Sequence, residues 1–293
     1  MAQSVNILLG GVFHAAVLFL VAAGLQLVFG VQRILNLACG SFYALGAYFG
    51  VTATGWALGA GLPAPLFLLV LVASGLALAV IGPVVERLLR TIYDRDESFQ
   101  LLLTFALVLI FEDVIRFFWG TAPHQLGGVY LVYGQWRVAG LTIPVYNLVV
   151  IAAGAMIALL MGLLLTRTRF GRIVRAAAEN RRMAEALGVD MNRVSVRVFT
   201  LGAALGTVGG ALVIPATAAM NEMGIELIVE AFAVVVIGGL GSMRGAVAGA
   251  LVVGVLKALA IATWPELEML AIYVIVIAVL VLRPAGLFAR AAA

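Results

Sequence analysis

The chain alternates long apolar runs with short charged or Gly/Pro-rich breaks. Residues 1–32 carry no charge, and residues 34–85 carry none either, with Gly61-Leu62-Pro63-Ala64-Pro65 dividing that second run in two. A membrane helix needs about 20 mostly apolar residues, so these runs predict three spans. Further spans are predicted over 99–119, 143–166, 198–219, 227–241, 245–262 and 268–283. The pair at 227–262 is short for two full helices, and Gly238-Gly239-Leu240-Gly241-Ser242-Met243-Arg244-Gly245 interrupts it. About eight to nine crossings therefore fit. The first run, Asn6 to Val31, has no basic residue before it and no small-residue cleavage site after it, so it reads as a retained helix. The expected fold is all-α, a polytopic helical membrane protein with residues 1–293 forming one transmembrane domain.

Composition narrows the class. Of 293 residues, 64% are hydrophobic and 11% charged, too little polar surface for a water-soluble fold. A porin-type barrel is excluded too, because its strands alternate apolar and polar residues instead of running apolar for twenty. The net charge of +4 reads as topology before it reads as nucleic-acid affinity. With the N-terminus outside, Arg33, Arg87, Arg90, Arg95, the cluster between 167 and 197, Arg244, Arg283 and Arg290 all fall inside. Only Arg137 lies in an outside loop, so an N-out, C-in orientation is predicted. The single cysteine, Cys39, allows no intrachain disulfide. No Gly-x-x-x-x-Gly-Lys-Ser/Thr loop occurs, so the chain has no phosphate loop with which to hydrolyse ATP.

Two segments outside the membrane are notable. In the outer one, 120–142, Val129-Tyr130-Leu131-Val132 and Arg137-Val138 read as short extended pieces. The inner one, 167–197, predicts a short amphipathic helix over 172–188. Arg172, Arg175, Glu179, Arg182 and Glu185 share one face, and Ile173, Ala176, Ala177, Ala184 and Leu187 form another. Arg175–Glu179 and Arg181–Glu185 are i,i+4 pairs, each worth about 0.3 kcal/mol, and Gly188 supplies a helix stop. Spacing alone leaves two uses open: lying on anionic lipid, or docking a cytoplasmic partner.

Four segments resemble one family. Arg167-Thr-Arg-Phe-Gly-Arg-Ile-Val-Arg-Ala-Ala-Ala-Glu-Asn-Arg-Arg-Met-Ala-Glu-Ala-Leu-Gly-Val189 is similar to the cytoplasmic loop of branched-chain amino-acid ABC importer permeases. Leu35-Asn-Leu-Ala-Cys-Gly-Ser-Phe-Tyr-Ala-Leu-Gly-Ala-Tyr48, Phe111-Glu-Asp-Val-Ile-Arg-Phe-Phe-Trp-Gly120 and Val236-Ile-Gly-Gly-Leu-Gly-Ser-Met-Arg-Gly-Ala-Val-Ala-Gly249 resemble three further motifs, in the family's order. The likeness covers nearly the whole chain and is nearer to the smaller of the two permeases. It implies an inner-membrane subunit paired with a second, longer permease, fed by a periplasmic binding protein and driven by two cytoplasmic ATPase subunits. ATP and Mg would sit on those ATPases, and this chain would bind no cofactor. The resemblance makes 172–188 a coupling helix, with Arg175, Ala177, Glu179, Asn180, Ala186 and Gly188 as ATPase contacts. Many relatives have His where Cys39 stands, so no role of that imidazole transfers.

Polar residues within spans need a reason, since an ionised group at mid-bilayer costs about 2.5–3.5 kcal/mol on insertion scales. Glu112, Asp113 and Arg116 lie toward the outer end of the fourth span, and Glu112 can pair with Arg116 one turn on. They read either as a structural ion pair or as groups flanking an outer gate. Asn36, Gly40, Ser41 and Gly46 open the second span, and Gly238, Gly239, Gly241 and Ser242 break a late one. Both sets suit close helix packing or a pathway lining. His14, Gln26 and Lys257 read as buried hydrogen-bonding or snorkelling residues. The competing function is an ion-coupled secondary transporter, for which only Glu112 and Asp113 are expected to offer mid-membrane acid groups.

Overall fold

The computed structural model describes residues 2–93, 95–138 and 141–282. Arg283 and Arg290, on which the inside placement of the C-terminus rests, lie outside the described residues. The helices in order are α1 Ala2–Gln32, α2 Cys39–Gly59, α3 Phe67–Leu78, α4 Gly82–Arg90 and α5 Glu97–Trp119. A hairpin follows, β1 Gln135–Val138 with β2 Leu141–Pro144, pairing Trp136 with Ile143. Then come α6 Val145–Arg167, α7 Arg169–Glu179, α8 Arg181–Ala186, α9 Met191–Val213, α10 Met223–Gly238, α11 Met243–Thr263 and α12 Glu268–Leu282. Single 3-10 turns join α3 to α4 and precede α3, making one rod, Ala64–Arg90. Among the described residues five stretches are long and apolar enough to cross a membrane: Ser4–Gln32, Ala64–Arg90, Val145–Arg167, Met191–Val213 and Met243–Thr263. The fold is that of an all-α membrane protein with one small hairpin.

The centre belongs to α1 and α9. In its most apolar stretch α9 is 72% buried within the protein, against 17% for α6. Small residues allow this. Gly46 of α2 lies on the backbone of Thr207, and a Cβ added at Gly50 would stand 3.2 Å from Ala211, so α2 runs parallel to α9. Gly24 of α1 meets Gly202 and Leu20 meets Gly209, so α1 runs antiparallel to it. The bland reading of Gly46 and Gly50, close helix packing, is what the structure gives them. Phe42, Tyr48, Phe67, Tyr146 and Phe199 are the largest side chains sealed in this core.

Several expected boundaries are corrected. The second span does not open at Asn36: residues 33–38 are not helical, and α2 starts only at Cys39. Arg33 is the reason α1 stops. It takes a left-handed φ of 59° and is held there by its side chain, whose Nη2 donates to Ala178 O at 2.7 Å. Gln32 lies level with Ser195 of α9, whereas the Cys39 carbonyl lies beside Gly206. Between those levels α9 rises about 16 Å, bridged by residues 33–36, which form no regular element, and a turn at 37–38. Asn36 closes the segment by accepting the Ala38 N–H on Oδ1 at 3.1 Å. α2 therefore begins deep inside the protein.

At the other corrected positions, α9 starts at Met191, earlier than the predicted 198, because Asp190 caps it by accepting the Arg193 N–H at 3.1 Å. The interrupted stretch 227–262 is two helices, α10 and α11. Ser242 caps α11 through the Gly245 N–H, and Gly239 and Gly241 turn the chain with positive φ. Val129–Leu131 is a 3-10 turn, not an extended piece, whereas Arg137-Val138 does lie in a strand.

Candidate translocation cleft and cytoplasmic docking helices

α5 and α10 both pack on α2, and two cavities lie one above the other along that cleft. The outer cavity is lined by Ser41 and Ala44 from α2, Val108, Glu112 and Ile115 from α5, and Asn221, Gly224 and Ile225 at the start of α10. It is small, about 10 Å³, room for a single water. The inner cavity holds about 300 Å³ and is apolar, walled by Leu35, Leu37, Leu101, Ile228, Val229 and Phe232 together with α12. The structure thus brings Ser41 and Glu112, two residues singled out from sequence, into one site, with Gly40 against Ile228 beside it.

Local order at the outer cavity is high. Glu112 pairs through Oε1 with Arg116, the expected i,i+4 contact, and its side chain is 13% exposed. Asp113 lies 4.0 Å from Nη1 of the same arginine and is 79% exposed. Tyr48 donates its hydroxyl to Asn221 Oδ1 at 2.8 Å, fixing that amide at the mouth. The outer loop reinforces this end: His124 exchanges backbone hydrogen bonds with Ala219, and Trp119 Nε1 donates to Thr52 at 2.7 Å. Asn36 is 1% exposed, and its Nδ2 has no partner among the described residues.

Gly238, Gly239, Gly241 and Ser242 are placed away from those cavities. Gly238 packs on Gly245 where α10 meets α11. Gln26 of α1 clasps the connecting turn, donating Nε2 to Gly239 O at 2.9 Å and accepting the Gly241 N–H on Oε1. The same wall holds a charged group not foreseen from sequence. Glu230 of α10 lies 2.6 Å from Lys257 Nζ and 2.6 Å from His14 Nε2. Glu112 and Asp113 are therefore not the only acids within the predicted spans, as had been expected. The signal was present in the chain as an acid inside an apolar run, but its partners lie far away in sequence.

At the opposite end, the predicted single helix over 172–188 is two. Asn180 adopts an extended conformation and caps α8 by accepting the Met183 N–H at 3.0 Å. Thr168 caps α7 by accepting the Gly171 N–H at 3.0 Å. Of the expected apolar face Ala177 and Ala184 do turn inward, joined by Gly171 and Val174, whereas Ile173, Ala176 and Leu187 are exposed. Ala177 is 3% exposed, whereas Arg175, Glu179, Asn180, Ala186 and Gly188 are exposed. Ile173, Met183 and Leu187 point outward among arginines, Leu187 at 78% exposure. Arg181 pairs with Glu185 at 3.2 Å as expected. The helix pair is pinned from three sides: by Arg33 on Ala178 O, by Arg181 over the Tyr93 ring, and by the packing of α7 on α6. Burial, then the Glu86 carboxylate, pushes the Tyr93 phenol well above its ordinary range, so it stays a donor to Glu86.

The chain's relatives fit these features. Residues 7–280 match the family described as branched-chain amino acid transport system / permease component. A high-affinity branched-chain amino acid transport system permease protein of Pseudomonas aeruginosa is 26% identical, over 97% of this chain and 95% of its own. A protein of the same description from Salmonella typhimurium is 28% identical, over 96% and 94%. A probable branched-chain amino acid transport permease protein of Methanocaldococcus jannaschii is 28% identical, over 86% and 80%. No solved structure matches the chain. Two cavities in a helical membrane bundle and a firmly held pair of short charged helices are thus features of a chain that belongs to the branched-chain amino acid transport permease family.

Proposed function

We propose that this chain is one of two permease subunits in an ATP-driven importer for branched-chain or related small amino acids. It crosses the bacterial inner membrane nine times, N-terminus outside and C-terminus inside. A periplasmic binding protein delivers substrate, a second permease completes the path, and two ATPase subunits on the cytoplasmic side supply energy.

The observation that supports this best is the pair α7–α8. It displays Arg172, Arg175, Glu179 and Arg182 around the outward Met183 and Leu187. A helix held for lipid would turn its apolar face outward as a continuous stripe. Here the apolar residues are isolated among charges, the texture of a protein contact. Its pinning to α1 through Arg33 gives an ATPase movement a direct route into the bundle.

Two further features support the assembly. Asp113 is exposed on α5 beside Phe105, Leu109, Ile110 and Phe117, all exposed. A carboxylate does not rest in lipid on such a face, so the second permease is its natural cover. The acid at Glu230 is already engaged by a lysine and a histidine, unlike the open acid site an ion-coupled carrier requires.

The test is co-purification. Tagged chain, co-expressed with its ATPases and extracted in detergent, should retain them. Reversing Arg175 and Glu179 together should weaken that retention while the protein remains inserted in the membrane. Unchanged retention would overturn the docking assignment.

A further inference from the structure

We infer that the cleft between α5 and α10 is a selective transit site for an aliphatic amino acid, so that this chain itself discriminates among substrates. The inference rests on the importer reading above and deepens it. The two stacked cavities differ in chemistry in the way such a molecule does. The outer one joins an acid, hydrogen-bond donors and a helix N-terminus; the inner one is wholly aliphatic and aromatic over about 300 Å³.

The polar end has a place for each charge of a zwitterion. Glu112, a wall residue of the cavity, uses Oε1 for Arg116, which leaves Oε2 without a hydrogen-bond partner among the described residues and available as an acceptor for an α-ammonium. The carboxylate has the start of α10. There Met223, Ile225 and Glu226 donate their N–H groups to Met220 and Glu222, and Gly224, in the cavity wall, is left as the donor without a backbone acceptor among the described residues. Two side chains add to the helix end. Ser41 is 5% exposed, lines the same cavity and has no hydrogen-bond partner for its hydroxyl among the described residues. Asn221 has its Oδ1 engaged by Tyr48, so its Nδ2 is turned to donation.

The apolar end lies one to two turns farther along α10, at Ile228 and Phe232, opposite Leu101 of α5 and floored by Leu35 and Leu37 of the segment before α2. Its volume takes a branched aliphatic side chain with room to spare. The polar end accommodates only a water in this state. The head group therefore enters when α5 and the start of α10 part.

The experiment uses the complete transporter, with both permeases, both ATPases and the binding protein, reconstituted in liposomes. Initial uptake of leucine, alanine and phenylalanine is compared in each variant. L101W fills the inner cavity and should lower leucine relative to alanine about tenfold, the scale of one or two methylenes refused by an apolar pocket. F232A enlarges it and should raise phenylalanine relative to leucine by a similar factor. F232A removes atoms only, so it decides the matter if L101W does not assemble. Wild-type uptake of leucine with uptake ratios unchanged within about twofold in the variants would overturn the transit site and leave the importer reading standing. Absence of ATP-driven leucine uptake by the wild type would overturn the importer reading itself, and the inference with it.

Discussion

Glu230 and Lys257 face each other across α10 and α11, with Nζ 2.6 Å from Oε1 and both side chains largely shielded. Breaking such a shielded pair from one side typically costs about 3–5 kcal/mol, and the cost of removing Lys257 is softened by His14, which stays 2.6 Å from Glu230. E230Q and K257M should each lower the thermal unfolding temperature of the detergent-extracted protein. The double variant should regain part of the loss, because it leaves no unmatched charge. A double variant as unstable as the sum of the singles would show that the two residues do not act as a pair.

Gln26 makes two hydrogen bonds to the turn between α10 and α11. Q26L keeps the volume and loses both, leaving the buried Gly239 carbonyl unmet at about 1–3 kcal/mol, while the exposed Gly241 amide can turn to water. Hydrogen exchange at 239–242 should rise more than in the helices on either side. Protection unchanged at those amides would show that the turn is held by glycine geometry alone.

Gly210 lies with its α-carbon against the Tyr43 carbonyl, so a side chain has nowhere to go between α2 and α9. G210A should cost about 1–3 kcal/mol through forced separation of the two helices. G162A, where nothing lies within 4 Å of the added carbon, should be neutral or slightly stabilising. Comparing the thermal stability of the two variants tests the packing directly.

A photo-crosslinking residue at Leu109 or Phe117, on the exposed face of α5 beside Asp113, should trap the second permease when the two are co-expressed. The same residue at Leu159 or Leu160, exposed on α6, should trap lipid. Equal permease adducts from both helices would contradict the assignment of the α5 face.

Much of this architecture is legible in the chain because apolar runs and arginine placement are local signals. The division at 61–65, the span ending at Trp119 and the cytoplasmic segment follow from them directly. Glu112 and Arg116 pair as their four-residue spacing requires. What spacing does not reveal is where a run stops being helical inside the membrane. Residues 33–38 are as apolar as a helix, and only Arg33 in a left-handed turn and the Asn36 side chain break it. Asn180 likewise has a periodic helix on both sides, and its capping role emerges only when the backbone extends. The Glu230 group was hidden for another reason: its partners lie on two other helices, and no local pattern joins His14 to Glu230 across 216 residues.

The central claim is that this chain passes amino acids through a membrane on energy supplied from outside itself. Liposomes holding the chain with its second permease, both ATPases and the binding protein should take up leucine only when ATP reaches the ATPases. Liposomes holding this chain alone should show no uptake under a proton or sodium gradient. Robust gradient-driven uptake by the chain alone would contradict the account.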